Sequence, residues 1–376
     1  MLKFRKQFAI VLAIMFVIGT LGGCANNGGD SGDTGDIGDT GNTGKELALI
    51  TDLGTIDDKS FNQGAWEGVK MYAGEFDKTY EYYQPTEQST TAYLDAIELA
   101  VKGGAAVIVT PGFLFEEPVY LAQDQYPDVK FILLDGSPND GDWANGPNYN
   151  TASNTVGVTY AEHEAGFLAG YAAVMDGYRS LGFMGGMAVP AVKKFGHGFV
   201  QGAEYAGQEL GLAKGSIPIK YFYTGGFAAT PEAQAMASSW YNDGVEVIFA
   251  CGGAVGNSVM AAAEATGNKV IGVDVDQSNE SPTVITSAMK ELKISVYDCI
   301  SEYYNDNFPG GKDIVFTARN NGIGLPMQTS KFNEFTQDDY NAIYAKLAAG
   351  ELTVLPDFDI NASDLPTSIV VVAEFN

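Results

Sequence analysis

The chain has 376 residues, with 21 Lys and Arg against 47 Asp and Glu and a formal net charge of −26, so nucleic acid and anionic membrane surfaces are poor partners for it. Hydrophobic residues make up 45% and charged residues 18%, an ordinary balance for a globular protein. Its three cysteines are too few for a disulfide framework; Cys251 in "VIFACGG" and Cys299 in "VYDCI" lie in apolar runs and read as buried free thiols.

At the N-terminus, Lys3, Arg5 and Lys6 precede an apolar run from Phe8 to Ile18, and "LGGC" follows, ending at Cys24. This is the order of a secretory signal with a lipoprotein cleavage box, and the run is short of the roughly 20 residues a membrane span needs. Residues 1–23 are expected to be the signal peptide, and Cys24 is expected to carry a lipid that anchors the mature chain to the extracytoplasmic face of the cell membrane. Residues 24–45, rich in Gly, Asp, Thr and Asn, have too little apolar surface to offset the entropy of ordering and read as a flexible tether.

From Glu46 the chain alternates apolar runs with helix-period segments. The runs predict strands at 47–51, 106–110, 130–134, 155–159, 180–184, 217–223, 245–250, 269–273 and 282–288. Helices are predicted at 61–76, 90–103, 116–126, 162–176, 196–210, 230–243, 256–267 and 290–306. Strands that are continuously apolar are buried on both faces, which points to parallel sheets covered by helices. The length and the alternation predict an α/β fold of two doubly wound parallel-sheet lobes with a ligand cleft between them. The first lobe is expected to span 46–153 plus 282–325 and the second 154–281 plus 326–376, with crossovers near 152–156, 280–283 and 322–328.

Ligands of open α/β sheets bind beyond the carboxyl ends of the strands. There the sequence has Asp52, Asp135, Asp274 and Lys290, with Gly252 and Gly253 after "VIFAC". An aspartate at such a junction is a common helix cap. Lys290 cannot accept a hydrogen bond, so capping does not explain the set. Phe61, in "DDKSFNQ", has two open readings. It is in phase with Ala65, Val69, Tyr72 and Phe76 as the start of a core stripe, and its polar flanks also suit a ring at a cleft edge.

"DDKSFNQGAWEG", "YPDVKFILLDG", "EAGFLAGYAAV", "FGHGFVQGAEYA", "GVEVIFACGGAVG" and "IGVDVDQ" together resemble the basic membrane protein family. These are lipoprotein substrate-binding proteins of ABC transporters, similar in fold to type I periplasmic binding proteins, and characterised members bind purine nucleosides. The resemblance implies that Phe61 and Phe227 sandwich a base and that Asp52, Asn62 and Asp135 meet base or ribose from the first lobe. It implies that Asp274 accepts from ribose hydroxyls and that Lys290 donates to them or orients Asp274, with Gly252 and Gly253 allowing close backbone approach. Where relatives commonly have Gly-Gly-Thr-Gly, this chain reads "GGAVG", which removes a hydroxyl.

The partners implied are a purine nucleoside, an ABC permease and, through Cys24, the membrane; the chain is expected to be a monomer with no nucleic acid, cofactor or metal. No enzyme is expected. Gly-x-Ser-x-Gly is absent, and of the two histidines His163 reads as a solvated first-turn residue and His197 as a loop or groove residue. "DVDQSNESPTVI" opens like a calcium loop but lacks the required Gly and Glu. The alternative reading is a sensor lipoprotein of the same fold that binds a sugar or signal molecule.

Overall fold

The computed structural model describes residues 44–52 and 54–375, so the expected signal peptide, Cys24 and nearly all of the tether lie outside the described residues. The chain first lays down β1 (Leu47–Ile50), α1 (Phe61–Phe76), β2 (Tyr80–Tyr83), α2 (Thr90–Lys102), β3 (Val107–Pro111), α3 (Glu116–Gln125), β4 (Lys130–Leu134) and β5 (Thr155–Tyr160). It crosses at Ala161 and builds α4 (Glu162–Met175), β6 (Leu181–Gly185), α5 (Pro190–Glu209), β7 (Ile217–Tyr223), α6 (Pro231–Asn242), β8 (Val247–Cys251), α7 (Val255–Thr266), β9 (Lys269–Asp274) and β10 (Val284–Lys290). It returns at Glu291 to α8 (Leu292–Tyr304) and β11 (Lys312–Phe316), then crosses a third time to β12 (Ile323–Gly324), α9 (Gln337–Ala349) and β13 (Val370–Phe375).

Two sheets result, in the orders β11-β5-β4-β3-β1-β2 and β12-β10-β9-β8-β6-β7-β13. Neighbours are parallel except for the two-residue β12, which is antiparallel to β10. Strands β3, β6 and β8 are buried along their whole length, as continuous apolar runs require.

The sheet pairing corrects the expected lobe boundaries. β5 pairs with β4 and β11 in the first sheet, and β10 pairs with β9 in the second, so each crossing follows its strand. The polar residues before β5 are a turn within the first lobe. Asn154 Nδ2 donates to the carbonyls of Gln123, Tyr126 and Val129 at 3.0, 3.2 and 3.1 Å, tying this turn to the end of α3. The third crossing lies at Thr317–Gly322, earlier than expected, and carries a short 3-10 turn at Ala318–Asn320.

Two of the motifs that carry the family resemblance serve packing. A Cβ on Gly166 or Gly170 of α4 would lie 2.0 or 2.1 Å from the Phe195 or Phe199 carbonyl of α5, and one on Gly202 of α5 would lie 2.0 Å from the Phe167 carbonyl. The two helices therefore touch backbone to backbone, and no side chain fits between them.

Candidate ligand-binding site

A cavity of about 520 Å³ opens between the carboxyl ends of the two sheets. All nine residues singled out from the sequence line it: Asp52, Phe61, Asn62 and Asp135 from the first lobe, and Phe227, Gly252, Gly253, Asp274 and Lys290 from the second. Asp135 and Asp274 have φ of 56° and 66°. This left-handed backbone is uncommon for residues other than glycine but tolerated by aspartate, and it turns the chain sharply at the strand end.

At one end of the cavity the polar groups are organised by the start of α1. The Asp58 carboxylate accepts from the amides of Ser60 (2.9 Å), Asn62 (3.0 Å) and Gln63 (3.1 Å), and so caps the helix. Asn62 Nδ2 donates to Asp58 Oδ2 at 3.0 Å and to Asp52 Oδ1 at 3.1 Å, and Gly54 N donates to the same Asp52 oxygen at 2.7 Å. Both amide hydrogens of Asn62 are thus committed to carboxylates. Its Oδ1 is buried with no partner among the described residues, leaving an acceptor. Burial raises the Asp52 and Asp58 carboxyls above the usual range, against the hydrogen bonds they accept.

At the other end, Lys290 Nζ donates to Asp135 Oδ2 at 2.6 Å and lies 3.3 Å from Asp274 Oδ1. The same ammonium stands 4.4, 5.4 and 5.5 Å from the ring centroids of Phe61, Tyr160 and Phe195. Burial alone would lower this lysine. Asp135, Asp274 and Glu162 outweigh burial and raise it, so it stays protonated. Glu162, fully buried at the start of α4, is pushed up to about 7, first by burial and then by Asp135; Lys194, 3.6 Å away, opposes this. Asp135 Oδ1 is buried and without a partner among the described residues.

Phe61 packs against the main core and also lines the cavity, so its two readings do not exclude one another. Phe227 follows β7 in a loop admitted by Gly186, where a Cβ would lie 2.5 Å from the Phe227 ring. The close approach at Gly252 is to the chain itself: a Cβ there would meet Gly186 N at 2.5 Å. Ala254 of "GGAVG" lines the cavity and Val255 is buried, so the departure makes that wall apolar.

His163 lies in the first turn of α4 as expected but is half-buried where a solvated residue was expected: its Nδ1 is buried without a partner among the described residues, and burial lowers the ring to about 4. His197 is buried on α5 where a loop or groove residue was expected, and its Nδ1 lies 2.7 Å from the Asp357 carbonyl, fastening the C-terminal segment. Cys251 and Cys299 are free and buried, and Cys251 also reaches the cavity wall. Asp58, Glu162 and Phe195 were not anticipated. Only Asp58 had a signal, an acid placed just before a helix start.

Among the described residues no helix is long and apolar enough to cross a membrane, and no group of three or more His, Cys, Asp or Glu is placed to hold a metal ion.

Two α/β lobes linked by three crossings, with a polar and aromatic cavity at the facing strand ends, define a ligand-binding protein of the type I periplasmic fold. A solute-binding protein of an ABC transporter system from Aeropyrum pernix K1 shares the fold, with a TM-score of 0.70 and 22% identity over 83% of this chain and 94% of that one. Residues 45–355 match the family described as ABC transporter substrate-binding protein PnrA-like (Bmp), and the chain belongs to that family. It is 32% identical over 287 residues to basic membrane protein A1 of Borrelia garinii subsp. bavariensis, covering 74% of this chain and 79% of that one. It is 28% identical over 312 residues to the ABC transporter nucleoside-binding protein BmpA of Lactococcus lactis subsp. cremoris, covering 76% and 83%.

Proposed function

We propose that this substrate-binding protein captures a purine nucleoside between its lobes and delivers it to an ABC permease, held at the extracytoplasmic face of the membrane by a lipid on Cys24. The observation that carries the ligand reading is the pairing of two polar clusters in one aromatic-walled cavity. Asp52 and Asp135 end strands separated only by β3, so these two strand ends lie about 10 Å apart at ordinary strand spacing. That span suits a molecule with a base at one end and a ribose at the other. Phe61 and Phe227, from opposite lobes, supply faces for the base.

The polar groups are nearly all acceptors: Asn62 Oδ1, Asp52, Asp135 Oδ1 and Asp274. They call for a ligand rich in donors, such as the imino and amino edge of a purine and the hydroxyls of ribose. The cavity wall includes four aspartates, counting Asp58, and one lysine that is already paired, which disfavours an anionic ligand. Guanosine is therefore expected to bind at least about 100-fold more tightly than guanosine 5′-monophosphate. Equilibrium titration of both compounds checks this; equal affinities contradict it.

A further inference from the structure

Ser60 occupies the N-cap position of α1, where a serine hydroxyl ordinarily accepts from the first amides of the helix, yet it makes no capping bond. Asp58 caps in its place. The Ser60 hydroxyl instead donates across the cleft to Asp274 Oδ2 at 2.5 Å. Lys59, held in the left-handed region with φ of 59°, offers its carbonyl to Nε2 of Gln277 in the second lobe at 2.8 Å. Gln277 is buried and fixed within its own lobe: its Oε1 accepts from Val273 N at 3.0 Å and its backbone N–H donates to Ser287 Oγ at 3.1 Å. The Lys59 ammonium pairs with Glu280. One turn into α1, a Cβ on Gly64 would lie 2.9 Å from the Val275 side chain, so the helix start is seated directly on the second lobe.

We propose that residues 58–60 form a clasp that engages residues 274–280 when the lobes close, positions Asp274 for the ligand and sets how long the ligand is retained. This rests on the reading of the chain as a hinged nucleoside binder. Neither Ser60 nor Gln277 lines the cavity, so both act through lobe closure and through Asp274. The buried Ser60–Asp274 bond and the half-buried Gln277–Lys59 bond carry the effect, because the exposed Lys59–Glu280 pair is screened by salt and contributes little. A bond made only in the closed form slows opening, so its loss appears in the dissociation rate.

Two variants test this. Ser60→Ala removes the hydroxyl without uncapping α1. Gln277→Glu keeps an acceptor for Val273 N and replaces the donor facing the Lys59 carbonyl with an oxygen. The measurements are stopped-flow dissociation of guanosine, thermal melting, and the radius of gyration of the ligand-free protein by small-angle scattering. Each variant is expected to release guanosine about tenfold faster, with melting near wild type. The double variant is expected to have a larger ligand-free radius than wild type. Unchanged dissociation together with an unchanged radius overturns the clasp. If the wild type binds no nucleoside, the ligand reading fails by itself, and the radius then decides the clasp: a larger radius supports it and equal radii reject it. If one variant does not fold, the other carries the same comparison.

Discussion

Replacing Lys290 with methionine is expected to destabilise the ligand-free protein by about 3–5 kcal/mol at neutral pH, the cost typical of removing one partner from a buried charge cluster. Methionine approximates the lysine stem, so little of the loss comes from a cavity. What is lost is the cation that holds Asp135 at 2.6 Å and Asp274 at 3.3 Å and offsets the charge of Glu162. The sign of the pH dependence follows from the directions of the shifts. Burial raises Asp135 above its ordinary value and Glu162 to about 7, and removal of the lysine drives both further up. A carboxyl raised in the folded state destabilises above its folded pKa, and the penalty is relieved as pH falls toward the unfolded value. The deficit of Lys290→Met should therefore be largest near about pH 8 and shrink toward about pH 5 in thermal melts of both proteins. A deficit under about 1 kcal/mol, or one independent of pH, contradicts the assignment of Lys290 as the counter-ion of this cluster.

The second large effect concerns the aromatic walls. Phe61→Leu is expected to weaken purine nucleoside binding by about 1–3 kcal/mol, roughly 5- to 150-fold, which is the scale of base stacking on an aromatic side chain. Leucine is chosen over alanine because Phe61 also packs against the core, and a leucine keeps most of that packing. The melting temperature should therefore move little while the affinity falls. Phe227→Leu should weaken binding to a similar degree from the opposite lobe. Titration calorimetry on the folded variants checks both. Wild-type affinity in Phe61→Leu would return this ring to a purely structural role.

The strand-end residues of the cleft were legible in the sequence because open α/β sheets present their strand ends to a ligand, and apolar runs ending in Asp52, Asp135, Asp274 and Lys290 mark those ends directly. Which strand belongs to which sheet was not legible. β5 and β11 pair across about 150 residues of intervening chain, and a local apolar run does not encode a distant partner. Polar residues at 152–154 looked like a lobe crossing because a turn and a linker share composition. The edge elements were missed for a related reason: β2 is "YEYY" and exposed at most positions, and β11 is a mixed "KDIVF", so neither has the signature of a buried strand. The direction of the Ser60 hydroxyl was hidden as well. Sequence alone assigns a serine before a helix to capping, and only the presence of Asp58 two residues earlier releases it.

Isothermal titration of residues 45–376, unfolded and refolded to remove any carried-over ligand, against adenosine, guanosine, inosine, cytidine, ribose and galactose tests the central claim most directly. Saturable binding of a purine nucleoside with no response to the free sugars is the expected result. Binding of ribose or galactose without any nucleoside response would keep the fold and contradict the assignment of the cleft.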